Sequence, residues 1–126
     1  MKLRERQSVF LLNAAKLIIW TFDNGYELTG GELLRTFDQQ VLYFTGNKIV
    51  LKDDGNIQLE SVQKKSKTLQ SSHLKKLAID LNLFIDGVYQ TDKEAYKPLA
   101  EYWKSLHPDN IAGYDWDWDA NHFEMK

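Results

Sequence analysis

Apolar residues recur at helical spacing from about Arg6 to Asn24. Phe10, Ala14, Leu17 and Thr21 form one line, with Leu11, Ala15, Ile18 and Phe22 beside it. This predicts an amphipathic first helix that stops at Gly25, where a left-handed residue ends a helix without a Cβ penalty. Tyr26 to Thr29 reads as a short strand closed by Gly30-Gly31. Phe37 to Thr45 reads as a second helix ending at Gly46. The pattern then turns β-like, with runs at Lys48 to Leu51 and Asn56 to Leu59 around Asp53-Asp54-Gly55, a hairpin signature. Between Lys76 and Phe84, Leu77, Ile79, Leu81 and Leu83 alternate strictly, as in a strand with one buried face. Asp86-Gly87 turns that strand into Val88-Tyr89. Behind Pro98, Leu99, Trp103 and Leu106 predict a third helix, which ends at His107-Pro108-Asp109-Asn110. Asn121 to Met125 reads as a final strand. The sum is one α+β domain over residues 1–126, with a small antiparallel sheet flanked by helices.

Composition narrows the chemistry. The 126 residues include no cysteine, so disulfides, thiol nucleophiles and thiolate metal sites are excluded. A transition metal here must be held by imidazole and carboxylate, and there are three histidines. The formal charge of −2 argues against a nucleic-acid binder. The apolar stretch from Val9 to Trp20 follows Lys2, Arg4 and Arg6 but is broken by Asn13 and Lys16. No small-x-small cleavage site follows it, and it is shorter than the ~20 residues of a membrane span. The expectation is a protein made in the cytoplasm, without stable membrane association.

His73, Asp80 and His122 supply two imidazoles and a carboxylate, a sufficient shell for catalytic zinc with a fourth position left to water. Spacing alone favours surface or hydrogen-bonded core roles for these residues over a metal shell. The surrounding residues are more specific. Ser71-Ser72-His73-Leu74-Lys75-Lys76-Leu77-Ala78-Ile79-Asp80 resembles the Ser-x-His-x-x-Gly-x-Ala-x-Asp motif of the zinc peptidases that include D-alanyl-D-alanine carboxypeptidases and dipeptidases and phage L-alanyl-D-glutamate endopeptidases. Asp119-Ala120-Asn121-His122 resembles that family's second motif, in which an acidic residue precedes the last ligand histidine by three positions. Arg35-Thr36, with Gln40 following, is similar to the Arg-Thr-x-x-x-Gln segment of its cell-wall endopeptidases, and Gly113-Tyr114-Asp115-Trp116 to their Gly-Gly-Asp-Trp element.

The resemblance implies a hedgehog/DD-peptidase-like fold with His73, Asp80 and His122 as Zn2+ ligands. It also implies Asp119 as general base, Arg35 facing the polarised carbonyl, and Ser71 near the substrate. The implied activity is zinc-dependent hydrolysis of the peptidoglycan stem peptide, with water as nucleophile. An L-alanyl-D-glutamate endopeptidase of the phage or prophage endolysin type is the first reading. That enzyme would be a monomer held in the cytoplasm until released to the cell wall. A D-alanyl-D-alanine carboxypeptidase or dipeptidase is the alternative, and a non-catalytic metal-containing cell-wall binding module is the alternative of another class. Residues 48–67 are the expected variable insertion. Lys76 stands where the motif has glycine, and Glu124 fits either a ligand-supporting role or the opposite strand face.

Other signals compete. Asp115, Asp117 and Asp119 open like a calcium loop, but Ala120 and Lys126 break the EF-hand pattern. Strand-like alternation puts Tyr114, Trp116 and Trp118 on one face, for core packing or for stacking on sugar rings. Lys64, Lys65, Lys67, Lys75 and Lys76 read as solvated loop residues, with attraction to an anionic cell-wall polymer or membrane face as the sharper option. His107 is expected to cap or lie at the surface.

Overall fold

The computed structural model describes residues Met1–Lys126. Its elements run α1 (Leu3–Asp23), β1 (Glu27–Gly30), α2 (Phe37–Thr45), β2 (Asn47–Leu51), β3 (Ile57–Ser61), β4 (Ala78–Ile85), β5 (Val88–Tyr89), α3 (Lys97–Leu106), β6 (Asn110–Ala112) and β7 (His122–Met125). The main sheet is antiparallel in the order β1-β4-β7-β6, with β5 folding back on the end of β4. The β2–β3 hairpin forms a separate two-stranded sheet. This is the expected α+β architecture.

α1 begins three residues earlier than its apolar pattern, because Glu5 accepts from the Lys2 backbone N–H and closes the first turn. Phe10, Ala14, Leu17 and Thr21 are all buried, as the spacing predicts. The flanking line is not: Leu11 and Phe22 are exposed, and only Ile18 of that line packs against the core. The helix meets α3 and the sheet along one stripe, so its second line has nothing to cover it. In α3, Leu99 and Trp103 are buried. Phe10 and Phe123 meet the Trp103 ring edge-on, with centroids 5.6 and 6.1 Å away. The Trp103 indole N–H donates to the carbonyls of Ile111 and Glu124, pinning the helix over β6 and β7.

β4 connects the core to the site. Its odd positions Leu81 and Leu83 are buried with Leu77, so Asp80 projects from the opposite face. β6 escaped the sequence reading. Three residues are too short for a period, and the strand follows directly on the turn that ends α3. There the His107 Nδ1 accepts from the Asp109 N–H, the expected capping role. The Tyr114–Trp116 alternation also fails. Residues 113–116 form a 3-10 turn instead of a strand, so Tyr114 packs toward the core and bonds Glu94. Trp116 and Trp118 stack on each other at 5.9 Å, and Trp118 is exposed. The three calcium-like aspartates also part company, with Asp115 pairing Lys104, Asp117 pairing Lys93 and Asp119 turning toward His122.

Lys76, at the motif glycine position, has φ 58 and ψ 36 and ends the 3-10 turn of residues 72–75. The left-handed conformation that favours glycine is therefore kept by a lysine, at a cost of about 1–2 kcal/mol. Its amide donates to the His73 carbonyl, and the turn that carries His73 is closed as a glycine would close it.

Candidate metal centre and cleft

Register alone brings two of the candidate ligands together. β4 and β7 pair antiparallel with Asp80 directly opposite His122, which places their side chains as neighbours on one face. The His122 Nδ1 lies 3.1 Å from Asp80 Oδ1. The third arrives from the 3-10 turn before β4, where Ser71 caps the His73 N–H through its Oγ. His73 Nε2 lies 3.4 Å from the same Asp80 oxygen, and the two imidazole centroids are 5.0 Å apart.

Hydrogen bonding sets which nitrogen each histidine presents. His73 Nδ1 is 3.1 Å from the Leu33 carbonyl, which only accepts, so Nδ1 carries a ring proton and Nε2 is the nitrogen turned to Asp80. His122 presents the other nitrogen: its Nε2 faces Glu124 at 3.7 Å while Nδ1 turns to Asp80. Glu124, which the sequence left undecided, accepts from the Ser72 hydroxyl and stands behind His122 as its supporting carboxylate. One ligand atom from each of His73, Asp80 and His122 lies within 4.8 Å of the others. A tetrahedral ion with bonds of roughly 2.0–2.2 Å spaces its ligands about 3.3–3.6 Å apart, close to the two nitrogen–carboxylate distances here. Two imidazoles and one carboxylate fit zinc in chemistry and in spacing.

Charge follows from this geometry. Burial pushes the Asp80 carboxyl up, but hydrogen bonds from His122 and His73 outweigh it and hold the group at about 2. Burial pushes His122 down, yet the bonds to Asp80 and Glu124 prevail and raise it to about 9. Asp119 is raised, chiefly by burial, with the nearby His122 opposing. In the metal-free chain His122 therefore holds a proton at neutral pH, which a cation must displace from the Asp80 side. Cation affinity should rise about tenfold per pH unit up to about pH 9 and level off above it, with Asp80 ionised throughout. Zinc competition titrations between pH 6 and 10 read this slope directly, and a flat response below pH 9 would contradict it.

Asp119 sits beside the triad but outside it, with Oδ2 3.8 Å from His122 Nδ1. Arg35 comes from the loop before α2. Its Nε pairs with Glu32, its Nη1 donates to Gln40 Oε1 at 2.7 Å and to Ser71 Oγ at 3.4 Å, and its guanidinium lies 4.8 Å from the centroid of the Tyr43 ring. These contacts fix the guanidinium plane and leave Nη2 without a protein partner. Ser71 thus serves both as a turn cap and as a contact for Arg35. All six sequence-selected residues, Arg35, Ser71, His73, Asp80, Asp119 and His122, line one open cleft of about 900 Å³.

Three further residues support the site, of which Gln40 and Trp116 lay within resemblance segments without a site role and Glu32 was unmarked. Glu32 had no motif to mark it, yet it holds Arg35 and accepts from the Tyr43 hydroxyl. Gln40, fully buried, bonds Arg35 through its oxygen and the Ser66 hydroxyl and Thr68 carbonyl through its nitrogen. Its signal was present as the last position of the Arg-Thr-x-x-x-Gln pattern. Trp116 covers the His122 ring at 5.3 Å.

Comparison with known proteins bears on the same residues. Residues 64–125, which hold the whole His73/Asp80/His122 triad, match the family described as D-alanyl-D-alanine carboxypeptidase. The match spans 62 of the 126 residues, just under half of the chain, and makes this segment similar to that peptidase family. No curated protein sequence matches it. The crystal structure of the Serratia marcescens L-Ala D-Glu endopeptidase ChiX superposes with a TM-score of 0.57 and 20% sequence identity, covering 79% of this chain and 66% of that one. The likeness at that identity is one of fold, and the chain spans just under two thirds of the Serratia protein. Inside the matched segment, Lys76 and its left-handed turn stand where the motif it resembles has glycine.

Proposed function

We propose that this protein is a zinc-dependent peptidase of the peptidoglycan stem peptide, cutting the L-alanyl-D-glutamate bond. The observation that carries the reading is the clustering of His73, Asp80 and His122 in one cleft with a separate carboxylate, Asp119, against the last ligand. Zinc held by the three residues would supply Lewis acidity and lower the pKa of a bound water toward neutrality. Asp119 stays free of that shell and takes the proton of the attacking water. Its burial-raised pKa suits it to pass the proton to the leaving amine. Arg35, clamped by Glu32 and Gln40 through Nε and Nη1, keeps Nη2 free to donate to the developing oxyanion. Glu124 and Ser72 keep His122 in the tautomer that presents Nδ1. The fold shared with the Serratia endopeptidase supports the choice of bond.

Mass spectrometry of purified murein digested by the zinc-loaded protein tests the proposal. New amino termini on D-glutamate, lost on chelation and restored by zinc, are the expected result. Released D-alanine or its dipeptide would move the activity to the carboxypeptidase alternative. No new termini with zinc bound would leave a binding module.

A further inference from the structure

The segment from residue 64 to 68 reads in sequence as a solvated basic loop, but the fold lays it along one wall of the cleft. Two sets of bonds hold it there. The Lys65 amide donates to the Tyr43 carbonyl at 3.1 Å, and the buried Gln40 amide grips Ser66 and Thr68. The wall is therefore fixed by the same glutamine that fixes Arg35.

Its three ammonium groups have no internal counterion. Elsewhere in the chain lysines near carboxylates pair with them, as in Lys52 with Glu60, Lys93 with Asp117 and Lys104 with Asp115. Lys64, Lys65 and Lys67 form no ion pair and stand instead over aromatic rings. Their Nζ atoms lie 5.8 Å from the Phe44 centroid, 5.6 Å from Tyr43 and 6.0 Å from Trp118. The acidic groups of the cleft are already engaged, Glu32 by Arg35, and Asp80, Asp119 and Glu124 by the histidines. An overall charge of −2 makes this concentration of unpaired cations a local feature.

We propose that Lys64, Lys65 and Lys67 form a carboxylate-binding wall that selects peptides carrying free carboxylates away from the scissile bond. Resting on the peptidase reading of the cleft it borders, the wall extends that reading from a bond to a substrate class. Aromatic rings beneath the ammonium groups restrict them without neutralising them, so an incoming anion meets cations already oriented toward the cleft.

The test compares a synthetic stem peptide with its carboxylates free against the same peptide amidated. Binding to the metal-free full-length chain is read by calorimetry, and cleavage by the zinc-loaded chain is read separately. The wild type should bind the free form about tenfold tighter, and raising salt from about 0.05 M to about 0.5 M should shrink the preference. The K64Q/K65Q/K67Q variant, confirmed as folded by circular dichroism, should bind both peptides within about twofold of each other. In cleavage its loss should fall on KM for the free form. Equal binding of both peptides by the wild type, or an unchanged preference in the variant, overturns the wall. A binding preference without cleavage sustains the wall and removes the peptidase reading. Cleavage without preference does the reverse.

Discussion

Asp119→Asn should lower hydrolysis of the stem peptide by roughly 10²–10⁴-fold while leaving one zinc per chain, the range expected when a general base alone is lost. The separation of roles follows from position. His73, Asp80 and His122 converge with their ligand atoms within 4.8 Å, whereas the Asp119 carboxylate is 3.8 Å from the nearest ligand nitrogen and belongs to none of the three. The amide is isosteric with the carboxylate and keeps the buried site filled, so the change removes proton transfer and little else. Hydrolysis rates measured beside zinc content separate the two roles. Activity within threefold of wild type would remove Asp119 from the chemistry, and loss of zinc would make it a ligand.

Gly113→Ala should disrupt the centre without touching a ligand. A Cβ built on Gly113 would stand 1.9 Å from the Asp119 carbonyl oxygen and 3.0 Å from the His122 Cβ. That carbonyl accepts the His122 amide at 3.0 Å and so sets how β7 begins. The obstacle is backbone and cannot swing aside as a side-chain tip would. Overpacking of this kind costs typically 1–3 kcal/mol, and relief here must shift the strand that carries His122. We expect roughly 3 kcal/mol of lost stability, about 10 °C in Tm for a domain of this size, and at least a tenfold fall in zinc affinity. Thermal unfolding and zinc titration of the variant measure both. A variant that melts and binds zinc as wild type does would show that the close approach is tolerated.

These two expectations also mark where sequence and structure diverge as sources. The long amphipathic α1, the α2 helix capped by Thr36 and ended by Gly46 at φ 74, and the hairpin around Asp53–Gly55 are local and were legible from spacing and turn residues. His73, Asp80 and His122 were legible because their motifs keep fixed offsets, and register then made neighbours of Asp80 and His122. Long-range partners were not legible. Gln40 against Ser66 and Ser72 against Glu124 join residues 26 and 52 positions apart, whose proximity depends on the finished fold. The same holds for Lys64–Lys67: their composition is that of any solvated loop, and only the Gln40 grip places them on the cleft.

The thirteen buried side chains of the core leave a gap in sequence, with none between Leu17 and Leu77. The segment that carries Arg35, the hairpin and the lysine wall hangs from the domain by hydrogen bonds and rings, while α1, α3 and the β4–β7 pair hold the histidines on buried hydrocarbon. Floor and wall of the cleft are thus under separate constraint. Substitutions along the wall can accumulate at little risk to folding, whereas those beneath the floor are filtered by stability first. In lineages descended from such a chain, the bond-breaking apparatus would persist while preference among peptides drifts, each free to change on its own clock.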